Sequence, residues 1–141
     1  LFRSMNLIEV QGGNKFQKEV AFKVVSQMIT SLMPRMRTLE ITVRIKKMHG
    51  DAIGYCMMED TNRQFDIEVS RDLSLKDYVN ALCHEMVHAK QYARNEMDGY
   101  GGRWKKTKVA EGTLYMDLPW EKEAYRLEDK LTQEVWDANI L

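Results

Sequence analysis

His84-Glu85-Met86-Val87-His88 sets two imidazoles four residues apart, with a carboxylate directly after the first. On a helix, residues four apart stand one turn above each other on one face, so both rings can converge on one ion while Glu85 sits beside it. The chemistry such a trio serves is hydrolysis. Zinc accepts imidazole nitrogens in tetrahedral sites and acidifies water, and a carboxylate within reach can take a proton from water and return it to a leaving amine. The bland reading makes these histidines polar residues on an ordinary helix face. Against it, the chain has three histidines in all, and two fall in register in the middle of an apolar, well-capped helical segment. One zinc per chain is expected, because the sequence holds one such pair.

A catalytic zinc usually has three protein ligands. The remaining histidine, His49, lies in His49-Gly50-Asp51 and reads as a solvated turn residue. A carboxylate is the better candidate, and the segment after Pro119 offers Glu121, Glu123 and Glu128. Cys83 adjoins His84, but adjacent helical residues point about 100 degrees apart, so packing is its expected role. Tyr100, Tyr115 and Tyr125 could each donate to a developing oxyanion, and the sequence does not rank them. Arg103, Lys105, Lys106 and Lys108 surround Trp104. A basic patch with an aromatic can bind single-stranded nucleic acid, yet alternating charges on a hairpin are more often a solvated face, so nucleic acid is not an expected partner.

The elements that must position these residues follow from periodicity. In residues 14–33, Phe16, Val20, Ala21, Val24, Val25, Met28, Ile29 and Leu32 recur at helical steps, and Pro34 ends the run. Leu39, Ile41, Val43 and Ile45 alternate with polar residues as a half-buried strand does. Further strands are expected over residues 52–58 and 65–69, which gives three strands in meander order. Ser74 with Asp77 is a capping signal for a helix over residues 75–95 that carries the motif. Residues 98–102 read as a loop and 103–116 as a hairpin or long loop. Pro119 suits the first turn of a last helix running through Val135.

Bulk composition bounds the rest. With 141 residues, 44% of them hydrophobic, the chain supports one domain, expected over residues 5–141; Leu1 to Ser4 precede Met5 and are expected to be a foreign leader. Twenty-one basic and twenty-one acidic residues cancel, so no global field points to nucleic acid or a membrane surface. No apolar run approaches a membrane span and no export signal is visible. Two cysteines outside any CxxC spacing and ten methionines fit a reducing cytoplasm.

On the motif and the later carboxylates, the sequence resembles the zincin metallopeptidases, and within them the gluzincin arrangement, in which HExxH is followed by a glutamate ligand on a later helix. The Glu-x-x-Ala pattern of Glu121 and Ala124 is similar to the third-ligand segment of several such families, which often carry Asp or Asn where this chain has Tyr125. The stretch from the central strands through His88 also looks like small SprT-like peptidase domains and their short phage-encoded or prokaryotic relatives. Those domains commonly use a third histidine after the motif, and none follows His88 here. Across residues 39–128, the resemblance implies zinc ligands at His84, His88 and Glu121, with Glu85 as catalytic acid and base. It also implies a peptide or protein substrate, laid in extended form along a strand bordering the cleft, for which residues 52–58 are the candidate. Helical placement favours Glu121 as well: it shares a face with Ala124, Tyr125 and Glu128, while Glu123 lies with Arg126 and Lys130 on another.

The expected protein is a monomeric zinc-dependent metallopeptidase of α+β class, with an N-terminal helix, a small, mainly antiparallel sheet, the motif helix and a C-terminal ligand helix. Two other readings stay open: a noncatalytic zinc-containing binding module, and a DNA-associated SprT-like protease.

Overall fold

Alternation along Ile41, Val43 and Ile45, and along Phe65, Ile67 and Val69, gives two strands with one apolar face each, and those six side chains are buried together. In the computed structural model, which describes residues 5–98 and 102–141, they form the centre of a four-stranded sheet. The elements run β1 (Leu7–Gly12), α1 (Lys15–Leu32), β2 (Glu40–Lys46), β3 (Gly54–Met58), β4 (Gln64–Ser70), α2 (Leu75–Ala93), β5 (Arg103–Trp104), β6 (Thr107–Lys108) and α3 (Pro119–Asp137). A 3-10 turn, Tyr115–Asp117, leads into α3. The expected leader at residues 1–4 and the centre of the loop around Tyr100 lie outside the described residues. Among the described residues, no helix is long and apolar enough to cross a membrane.

The fold is α+β, but the sheet is neither mainly antiparallel nor a meander. Its order is β1-β2-β4-β3, with β1 and β4 both parallel to β2 and only β3 antiparallel, to β4. Two physical causes produce this. The helix α1 carries the chain from β1 back to the start of β2, the crossover that parallel pairing requires. Residues 47–53 then take the chain past β2 to the far edge, and the turn after Met58 returns β4 into the gap. Strand β1 was not anticipated; Ile8 and Val10 are its two half-buried residues. At its end Gly12 sits at φ +78°, and a Cβ there would lie 2.1 Å from the Ile45 carbonyl oxygen, so only glycine closes the pairing.

Caps fix where the helices start. Asn14 and Gln17 form a reciprocal capping box on α1, and the Ser74 hydroxyl accepts from the Asp77 amide at 3.2 Å on α2. Pro119 occupies the first turn of α3. The α2 helix packs against α1 and the sheet on one side and α3 on the other, and residues 81–91 are buried without a break. That stretch includes His84, Glu85, His88, Lys90 and Gln91. Polar groups so enclosed are costly unless partnered, so their arrangement is dictated by what they meet.

Candidate metal centre

α2 turns His84 and His88 toward the first three turns of α3. The Nε2 atoms of both rings lie on one oxygen, Glu121 Oε1, at 3.0 and 3.1 Å. His84, His88 and Glu121 are all buried, and their ligand atoms lie within 4.8 Å of one another. Ligands on a tetrahedral zinc at about 2.05 Å are separated by about 3.3 Å, close to the two distances seen. The opposite ring nitrogens are already engaged: His84 Nδ1 donates to Glu128 Oε2 and His88 Nδ1 donates to Gln91 Oε1, each at 2.7 Å. Both rings therefore present Nε2 to the centre. Two imidazole nitrogens and one carboxylate oxygen, oriented by outer partners, form a donor set that fits zinc.

The other candidates fall elsewhere. Glu123 accepts from Lys90 Nζ at 2.6 Å and from Gln91 Nε2 at 3.2 Å, and His49 is exposed in the link between β2 and β3. Glu128 backs His84 rather than joining the group. Tyr125 instead sets its ring edge-on to His84, with centroids 4.7 Å apart, and its hydroxyl lies 3.5 Å from that of Tyr115. Tyr100 lies outside the described residues. Burial pushes the Cys83 thiol up to about 12, as expected of a packing residue. Sequence reasoning missed Gln91, whose one local signal is its spacing three residues after His88 on the same helix.

Two clefts, of about 460 and 220 Å³, meet at this centre and share Gly54, Tyr55, His84, Glu85 and Tyr115 in their walls. Glu85 is 7% exposed there. Gly54 is what lets β3 pass beside it, since a Cβ at that position would stand 2.9 Å from Glu85 Oε2. β3 pairs with β4 alone among the described residues. The Ser70 amide donates to the Ile53 carbonyl and the Glu59 amide to the Gln64 carbonyl, so antiparallel alternation turns the main-chain groups of Gly54, Cys56 and Met58 to the free edge.

The metal-free centre has marked electrostatics. Burial alone would pull His84 down, but Glu121 and Glu128 outweigh it and hold the imidazole at about 9; burial likewise opposes His88, which Glu121 and Glu85 raise. Burial opposes ionisation of Glu121, yet its hydrogen bonds from the two rings bring it to about 2. Burial lifts Glu85 to about 7 against the pull of both histidines. The consequence for stability has a definite sign. His84 stabilises the fold fully below its ordinary 6.5, and this is lost as pH rises through about 9, with His88 acting in the same direction. Glu121 contributes above its ordinary 4.5, and this is lost as pH falls toward 2. Ionising Glu85 adds a cost as pH rises from 4.5 to 7. Metal-free protein should therefore be most stable near pH 4.5, with a melting temperature that falls from there through pH 9. Zinc must displace protons from the rings, so the increment in melting temperature on saturating zinc should grow over that range. A metal-free protein that gains stability toward pH 9, or a zinc increment that shrinks, would contradict this arrangement.

A family model described as the SprT-like family matches residues 18–119, a stretch that contains His84, Glu85 and His88 and ends just before Glu121. No curated protein and no solved structure gives a significant match.

Proposed function

Because the chain belongs to the SprT-like family, we propose that it is a zinc-dependent metallopeptidase in which His84, His88 and Glu121 hold the ion and Glu85 moves the proton. The observation that carries the reading is the convergence of both Nε2 atoms on Glu121 Oε1, beside a buried carboxylate at the junction of two open clefts. When bound there, zinc supplies Lewis acidity, polarising a carbonyl and acidifying water. Glu85 accepts one proton from the attacking water as the new C–O bond forms. It delivers that proton to the amide nitrogen as the C–N bond breaks, so water and peptide become a carboxylic acid and an amine. The free edge of β3 holds the peptide extended through the main-chain groups of Gly54, Cys56 and Met58, with side chains entering the two clefts. A purely structural metal site would have no use for Glu85, which argues against the noncatalytic module.

The test is a digest of a peptide library by zinc-loaded protein, with hydrolysis abolished by a chelator and restored by zinc. A library left intact by fully loaded protein would refute the reading. Gly54→Ala probes the approach of β3 to the base. Its Cβ would push Glu85 aside, and misplacement on the order of an ångström can cost about 100-fold in rate. At least a tenfold loss of turnover at unchanged zinc content is expected; unaltered turnover would show that Glu85 is not held by this contact.

One observation favours the DNA-associated reading. The β5–β6 hairpin gathers Arg103, Lys105, Lys106 and Lys108 around Trp104, with Lys105 Nζ 5.2 Å from the Trp104 ring centre. It bridges to Met97, which lines the smaller cleft. A protease working on nucleic-acid-bound protein should bind single-stranded DNA in a salt-sensitive way, and a free peptidase should not.

A further inference from the structure

Gln91 is 0% exposed and lies one turn after His88 on α2. Its amide is engaged at both ends. Nε2 donates to the Trp120 carbonyl at 2.9 Å and to Glu123 Oε1 at 3.2 Å, while Oε1 accepts from His88 Nδ1 at 2.7 Å. Rotating the amide by half a turn would set its oxygen against a carbonyl and a carboxylate and its NH₂ against a ring N–H, so the three contacts permit one orientation. The main chain converges on the same residue: the Gln91 carbonyl accepts from the Glu96 and Met97 amides at 2.8 and 3.2 Å. Trp120 and Glu123 flank Glu121 in the first turn of α3. Glu123 is further tied to Lys90, which also reaches Glu96 at 2.7 Å.

From this convergence we infer that Gln91 is the positioning residue of the centre, fixing the His88 ring and, through the Trp120 carbonyl and Glu123, the placement of Glu121. It rests on the metal-site reading above and adds the reason the third ligand arrives in register. The partner of His84 is a carboxylate, Glu128, and a carboxylate would be the stronger acceptor for His88 too. At position 91 it fails, because it has no donor for Trp120 and would face Glu123 across 3.2 Å. An amide is the side chain that can accept from the ring and donate to α3 at once.

The experiment compares wild type, Gln91→Glu and Gln91→Met for zinc affinity and for the visible spectrum of the cobalt-substituted protein, which reports ligand geometry rather than stability. Both variants should lose affinity by about 10- to 100-fold, the range for outer partners of metal ligands, and both should shift the cobalt bands. Wild-type affinity and spectrum in either folded variant would overturn the assignment. Should neither variant fold, nitrogen-15 spectra of zinc-loaded wild type decide. A proton on His88 Nδ1, protected from exchange by the Gln91 oxygen, is expected, and a proton on Nε2 with zinc on Nδ1 would overturn the inference. A wild type that binds neither zinc nor cobalt would refute the metal reading itself, an outcome distinct from either of these.

Discussion

Glu85→Gln is expected to keep one zinc and the wild-type fold while hydrolysis falls by a hundredfold or more. The amide matches the carboxylate in size but cannot take a proton from water, and a positioned general base contributes roughly 100- to 10,000-fold. The position is suited to a clean result. Glu85 stands outside the group formed by His84, His88 and Glu121, so removing its charge takes nothing from the metal. Its burial also disfavours the ionised form in the metal-free protein, so the neutral amide should cost the fold little. Turnover within threefold of wild type would place the base elsewhere or expose the hydrolysis as a contaminant's.

Glu121→Gln should lower zinc affinity by more than about 100-fold, beyond the usual range for outer partners. Both imidazole Nε2 atoms meet its Oε1, and an amide oxygen supplies a ligand without the negative charge that offsets the cation. Glu123→Gln should lose at most about tenfold, the low end of the range for outer partners, because glutamine can still accept from Gln91 and Lys90 retains Glu96. His49→Ala should change nothing measurable, since that side chain is exposed outside the ligand group. A large loss in Glu123→Gln or His49→Ala with none in Glu121→Gln would remove α3 from the site as drawn. Metal-free folding should be followed alongside, because Glu121 also pairs with both rings when no ion is bound.

The parts legible in the sequence were those governed by local rules. The spacing of His84 and His88, the Ser74 cap and Pro119 each act within one or two helical turns, and the helices begin where those signals stand. Placement of Glu121 and Glu128 on one face of α3 was likewise readable from periodicity. Strand order was not. Alternation in β2 and β4 identifies a buried face but says nothing of the neighbour, and the parallel pairing depends on α1 crossing behind β1, a strand whose short Ile8, Val10 alternation is weak. Gln91 and Lys90 stayed hidden for a related reason. Their partners come from α3 and the turn after α2, and a polar residue in a helix gives no sign that a distant element will bury it.

Native mass spectrometry of the protein purified with added zinc tests the central claim most directly. One zinc per chain is expected in the wild type and in Glu85→Gln, and its loss in His84→Ala, His88→Ala and Glu121→Ala. A wild-type chain that takes up no zinc, or variants that retain as much as wild type, would contradict the account.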